Sequence, residues 1–235
     1  MTLEYRKPVE MTNAPVTLFF DVNETLSDLS PVADAFEAVG ATRDRAASWF
    51  ASILRDGFAL TSTDSEARFL DIATVNARDA LGSSPLTMPL DDAVDAVITA
   101  FSSVQLHEDV APGFRSLADA GHRLFTLSNG PASNAERMLT GAGVADAMAG
   151  FLSVEGHSPW KPARAAYEGA LTRTGAGATS GDAFLVAVHP WDIHGAANAG
   201  LSTVWVNRSG AHYPEHFTPP TLTVETLSEL HKRLA

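Results

Sequence analysis

Five short runs rich in β-branched and aromatic residues, at 16–20, 123–127, 150–154, 184–188 and 203–207, alternate with longer Ala-rich amphipathic stretches. That alternation constrains the chain to an α/β fold: a Rossmann-like parallel sheet with helices on both faces. A further run at 221–224, after the Pro219-Pro220 break, reads as an edge strand. Between the first and second runs lie about a hundred residues without a convincing strand, too many for one crossover. Within them, 43–58, 65–81 and 91–103 carry helical spacing, as in Trp49, Phe50, Ile53 and Leu54 or Val94, Val97, Ile98 and Phe101. Thr63 with Glu66 three residues on is a capping-box start for the second helix, and Gly82-Ser83-Ser84-Pro85 ends it. The expected organisation is an all-helical cap over 29–105 inserted into an α/β core of 14–28 and 106–235. Residues 1–13, with scattered charges and no signal-peptide core, read as a leader.

The first run ends abruptly on a carboxylate, in Phe19-Phe20-Asp21-Val22-Asn23-Glu24-Thr25-Leu26. A buried strand that delivers an Asp to its C-terminal end is how an open α/β sheet presents a nucleophile. Three more polar positions follow strand ends: Ser128-Asn129-Gly130, Lys161 between Pro159-Trp160 and Pro162, and His189-Pro190-Trp191-Asp192. A hydroxyl, an amide and a flexible glycine suit a small anion, and a lysine can hold a carboxylate ionised. Asn23 limits the chemistry. An aspartyl-phosphate enzyme wants an acid there to protonate its leaving group, and Asn has no proton of suitable acidity.

Composition excludes several partner classes. A formal charge of -12 argues against nucleic acid and anionic membranes, which call for concentrated Lys and Arg. No run approaches a membrane span. The absence of cysteine rules out a disulfide framework and a thiolate metal site, and is compatible with the cytoplasm.

On Asp21, Thr25-Leu26, Ser128-Asn129-Gly130, Lys161-Pro162 and Trp191-Asp192, the chain resembles the haloacid dehalogenase superfamily, most closely the type II (L-2-haloacid) dehalogenases. The resemblance covers everything from Val16 onward, cap included. It implies a cofactor-free hydrolase in which Asp21 displaces halide from a small 2-halocarboxylic acid and forms an ester that water then cleaves. Lys161 would hold Asp21 ionised, Ser128 would bind the substrate carboxylate, and Asn129 would help receive the halide. Asp192 would support Lys161 and the water. Val22, Asn23, Trp191 and Phe50 would line the substrate, and a homodimer is compatible with the family.

The chain also departs from that pattern. The family usually carries an aromatic residue at the position of Asn23 and a glycine at that of Glu24. It places an arginine for the halide after the cap tryptophan, where Trp49 is here followed by Phe50, with Arg55 farther along. His189 replaces an amide near the hydrolytic water, which makes it a candidate general base. Two alternatives stay open. One is a phosphatase of the same superfamily with Mg²⁺ on Asp21, the Asn23 carbonyl and Asp192; the other is a non-catalytic binder of small acids.

Overall fold

The computed structural model describes residues 14–157, 159–177 and 181–234, so the leader expected at 1–13 lies outside the described residues. The first apolar run forms β1 (Thr17–Phe20), and all four of its side chains are buried. Successive side chains of a strand point to opposite faces, so both faces of the sheet are covered here. Parallel neighbours β4 (Arg123–Ser128) and β6 (Ala183–Ala187) flank β1. Beyond them lie β5 (Gly150–Ser153) on one side, and β7 (Ser202–Val206) and β8 (Leu222–Val224) on the other. The order is β5-β4-β1-β6-β7-β8, with every pairing parallel. The sheet expected from the sequence is therefore present, including the edge strand. Strand order reverses on either side of β1, which makes the C-terminal ends of β1, β4 and β6 the crevice where such sheets bind ligands.

The long gap is mostly helical, as expected, but its limits differ in detail. Two-residue strands β2 (Ser27–Asp28) and β3 (Gln105–Leu106) pair antiparallel and bracket it, and neither was legible as a strand. Between them run α1 (Ser30–Ala38), α2 (Arg45–Ser62), α3 (Phe69–Leu81) and α4 (Leu90–Ser102). The capping box does not form. Thr63 closes α2, its hydroxyl donating back to the Ala59 and Leu60 carbonyls, while α3 starts six residues later behind an extended Arg68. Helix α1 was not expected; only Val32 and Phe36 of its nine residues are buried, too few for a visible period.

This helical layer sits hard against the sheet's crevice. A Cβ built on Gly57 of α2 would lie 2.2 Å from ring atoms of Trp160, so glycine lets the indole seat itself on the helix backbone. Phe69 of α3 stacks on that indole at 5.4 Å and 13°. A Cβ on Gly130 would sit 3.5 Å from Phe69, so α3 reaches down onto the loop after β4.

Candidate active site

Asp21 follows β1 directly, at the level of Leu127 in β4 and Ala187 in β6, and is 5% exposed. Both carboxylate oxygens are engaged. Oδ1 accepts a hydrogen bond from Lys161 Nζ at 2.8 Å, and Oδ2 accepts one from the Thr25 hydroxyl at 2.7 Å and faces His189 Nδ1 at 3.1 Å. Lys161 is fully buried and also donates to Asp192 Oδ2 at 2.6 Å, while the Tyr167 hydroxyl donates to Asp192 Oδ1 at 2.6 Å. A buried charge persists only where it is paired, and here every charge is.

Burial pushes the Asp21 carboxyl up, but Lys161 and His189 outweigh it and hold it well below the usual carboxylate range. Burial would likewise lower Lys161, yet Asp192 and Asp21 raise it above an ordinary lysine. For Asp192, burial, opposed by Lys161 and reinforced by Asp21, leaves the carboxyl above its ordinary value. Burial and the Asp192 charge keep Tyr167 protonated, so it remains a donor. The anion of lowest basicity is thus Asp21, the one at the strand end.

Helix α5 (Pro190–Asn198) starts with a proline whose fixed φ suits a first helical turn. Asp192 sits within that first turn. His189 is the N-cap position but makes no cap hydrogen bond. Its ring turns instead to Asp21 through Nδ1 and to Glu24 Oε2 through Nε2, at 3.1 and 2.8 Å. Burial lowers His189, yet its hydrogen bonds and charge contacts with Asp21 and Glu24 bring it up to about 9. Near neutral pH it is therefore an imidazolium in the free protein.

Glu24 adopts a φ of 62°, the left-handed region that favours glycine, which costs a non-glycine residue about 1–2 kcal/mol. The loop carrying it is braced: Arg208 donates to the Thr25 carbonyl at 2.9 Å and is fixed by Asp109 at 2.9 Å. His107 Nε2 lies 3.2 Å from the Glu24 carbonyl. A cavity of about 630 Å³ is lined by Glu24, His189, Phe50, His107 and Arg208 among others, but not by Asp21 or Lys161. The Glu24–His189 pair stands between that cavity and the carboxylate.

The remaining expected residues also gather here. Ser128 Oγ accepts from Gly130 N at 3.0 Å, which leaves its own proton to donate. The Asn129 amide clamps the main chain of Lys161, accepting from its N–H at 2.9 Å and donating to its carbonyl at 3.2 Å. One N–H of that amide is left over. The Asn23 amide has no hydrogen-bond partner among the described residues. Phe50 stacks on His189 at 6.4 Å and Trp191 stacks on the same ring at 5.1 Å. Arg55 does not reach the cleft; it pairs with Asp56, with 68% of its side chain exposed. Glu24, Tyr167 and Arg208 were missed as participants. Glu24 alone left a signal, a charged residue where the family pattern has glycine.

The donor set does not fit Mg²⁺. Asp21, Asn23 and Asp192 would have to hold it, and all four oxygens of the two carboxylates are already taken by Lys161, Thr25, His189 and Tyr167. Among the described residues no group of three His, Asp or Glu side chains is placed to bind a metal ion.

Known proteins resemble this chain along nearly its whole length. The family model described as haloacid dehalogenase-like hydrolase matches residues 16–200. Haloacetate dehalogenase H-2 of Moraxella sp. (strain B) is 26% identical over 214 residues, covering 90% of this chain and 94% of the relative. (S)-2-haloacid dehalogenase 4A of Burkholderia cepacia is 24% identical over 214 residues, covering 91% and 87%. The crystal structure of a dehalogenase with an intermediate complex superposes with a TM-score of 0.87 at 25% identity, over 95% of this chain and 99% of that one. L-2-haloacid dehalogenase from Xanthobacter autotrophicus with chloropropionic acid covalently bound shares the fold at a TM-score of 0.81 and 21% identity, over 93% and 98%.

Proposed function

Because the chain belongs to the haloacid dehalogenase-like hydrolase family, we propose that it hydrolyses the carbon–halogen bond of small 2-haloacids through an ester on Asp21. The observation that carries this is a carboxylate depressed in basicity and aimed from a strand end, with Lys161 at 2.8 Å and the hydroxyl of Thr25 at 2.7 Å fixing its direction. Relatives named for haloacetate and (S)-2-haloacids support the substrate class. We take residues 14–28 and 106–235 as the core and 29–105 as the cap that closes over the site. Residence in the cytoplasm and assembly as a homodimer are parts of the same proposal; a cysteine-free composition supports the first and the family resemblance the second. No helix among the described residues is long and apolar enough to cross a membrane.

In the first half-reaction an Asp21 oxygen attacks C2 of the substrate, and the halide leaves with the bonding electrons. No proton is needed on the halide, so Asn23 is adequate where a phosphatase requires an acid. The substrate carboxylate is held by the free proton of Ser128, and the aromatic cover from the cap excludes water while the carboxylate is a nucleophile. One displacement at C2 inverts its configuration. In the second half-reaction water adds to the Asp21 carbonyl carbon, and the charge that develops on oxygen is met by donors already in place around that group. Collapse expels the 2-hydroxy acid and restores the carboxylate.

His189 changes role between the two. Once Asp21 is an ester it no longer carries the charge that raised His189; burial remains, so the imidazole loses its proton more readily. The proton lost is the one on Nδ1, which passes to solvent, while Nε2 keeps its proton and donates it to Glu24, whose side chain is 42% exposed. The neutral ring, still oriented by Glu24 through Nε2, then presents Nδ1 toward the ester as base for the water. His189→Ala is expected to give a burst of one halide per active site, followed by turnover slowed by about 10²–10⁴-fold, the usual worth of a general base. Glu24→Gln removes a group that raises His189, so the pH midpoint of ester hydrolysis moves down and the plateau rate falls. Rapid-quench halide measurements from pH 5 to 10 check both.

The overall assignment is tested by assaying halide release from 2-chloropropionate enantiomers and haloacetates beside phosphate release from an aryl phosphate, each with Mg²⁺ and with EDTA. Halide release insensitive to EDTA is expected. Phosphate release that requires Mg²⁺, without halide release, would sink the proposal.

A further inference from the structure

Glu24 orients the imidazole that serves the second half-reaction, yet its own backbone sits in a conformation that a glutamate adopts only at a cost. At a φ of 62° its carboxylate meets His189; in the β or right-handed α region its Cβ would leave the chain in another direction. A left-handed glutamate persists only where its surroundings hold it there. The side chain is 42% exposed, so burial of the carboxylate does not supply that hold.

Both hydrogen-bonding groups of the Glu24 main chain are taken. Its N–H donates to Ser27 Oγ at 3.3 Å, and its carbonyl lies 3.2 Å from His107 Nε2. A carbonyl only accepts, so the imidazole donates and its proton is on Nε2. His107 is brought there because it follows β3 directly. Pairing of Leu106 with Ser27 lays β3 against β2, and the His107 N–H then donates to the Leu26 carbonyl at 2.8 Å. Ring and main chain of one residue thus hold the carbonyls of Glu24 and Leu26, on either side of the Thr25 carbonyl that Arg208 takes.

These holds differ in what else they carry. Arg208 also pairs with Asp109, which accepts from the Leu227 N–H at 2.7 Å, so it ties the loop to the core at large. Ser27 is fully buried in β2. The His107 ring binds the Glu24 carbonyl and borders the cavity of about 630 Å³, so trimming it widens an existing space and leaves no sealed void. Of the three, His107 acts most specifically on Glu24.

We propose that His107 is a positioning residue for ester hydrolysis: through the Glu24 carbonyl, its ring fixes the left-handed turn that aims the Glu24 carboxylate at His189. The proposal rests on the role given above to the Glu24–His189 pair and adds what sets the direction of that pair.

Rapid-quench kinetics separate the two half-reactions, with halide reading ester formation and 2-hydroxy acid reading ester hydrolysis. His107→Ala is expected to slow hydrolysis by about 10–100-fold, the scale of a misaimed catalytic group, and to leave the rate of the halide burst within about twofold of wild type. His107→Gln, which returns an N–H donor, should recover part of the loss; His107→Phe, which fills the space without a donor, should not. Coupling to Glu24 is the readout that a merely structural role would not move. In a Glu24→Ala background no carboxylate is left to aim, so His107→Ala should slow hydrolysis little further. Effects that multiply in the double variant overturn the proposal, as does equal slowing of both half-reactions by His107→Ala, and either result leaves the dehalogenase assignment standing. Wild-type hydrolysis in Glu24→Ala overturns the role of the pair and the proposal with it. Absence of halide release from every 2-haloacid by the wild type overturns the assignment as well. If His107→Ala is poorly folded, the other two variants decide: equal hydrolysis rates in His107→Gln and His107→Phe overturn the proposal, and faster hydrolysis in His107→Gln supports it.

Discussion

Asp21→Asn is expected to lower halide release from a 2-haloacid by about 10⁴-fold or more, the scale of removing a covalent nucleophile. The substitution is close to isosteric, so the result isolates chemistry from shape. The amide oxygen can still accept from Lys161 Nζ, now 2.8 Å from Oδ1, but the neutral amide cannot displace halide. Stability should change little, because Lys161 keeps Asp192 at 2.6 Å and is not left as an unpaired buried charge. His189 loses one of the two carboxylates that raise it, so its basicity should fall in this variant. Thermal melting beside halide release separates loss of chemistry from loss of fold, and an NMR titration of the His189 ring reads the third consequence.

The second large effect is expected at Lys161. Replacing it with Met keeps most of the volume and removes the ammonium held between Asp21 and Asp192, both nearly sealed from solvent. Two buried carboxylates would then face one another with their attraction gone and their mutual repulsion unscreened. Breaking such a cluster costs about 3–5 kcal/mol, or roughly 10 °C of melting temperature in a chain of this length. Activity should fall by about 10³-fold or more at neutral pH. The sign of the pH effect follows from Asp21. In the wild type its carboxyl is held low, so the nucleophile stays ionised far into the acid range and activity is lost only well below neutral pH. Without Lys161, burial dominates and raises that carboxyl, so the acid limb of the remaining activity should move up in pH. An unchanged acid limb in Lys161→Met would show that Asp21 does not depend on Lys161 for its charge.

Residues far apart in sequence explain what could and could not be read beforehand. The strands were legible because a parallel strand covered on both faces is buried and largely apolar along its length, as in Thr17-Leu18-Phe19-Phe20, and no helix period competes with such a short run. The residues Asp21, Ser128, Lys161 and Asp192 announced themselves by following strand ends. The capping box misled because Thr63 and Glu66 satisfy a local rule that packing overrode. Helix α2 continues past its expected end through Ser62, and the Thr63 hydroxyl turns back to Ala59 and Leu60. The two-residue pair β2–β3 has too few residues to alternate visibly. The partners of the site were the hardest to see. Glu24 meets His189 across 165 positions and Tyr167 meets Asp192 across 25, and neither pair has a spacing rule to reveal it. His189 was legible as a candidate base, but its cationic state in the free protein depends on both carboxylates beside it, which only the folded arrangement discloses.

The central claim, an ester on Asp21 cleaved at its own carbonyl carbon, is tested most directly by single-turnover hydrolysis in ¹⁸O-labelled water with enzyme in excess over a 2-haloacid. Peptide mass spectrometry of the 14–28 segment and of the product then locates the label. Hydrolysis of the ester at its carbonyl carbon places ¹⁸O in the Asp21 carboxylate and unlabelled oxygen in the first molecule of 2-hydroxy acid. Labelled product with an unlabelled Asp21 would mean that water attacked the carbon directly, and would contradict that claim.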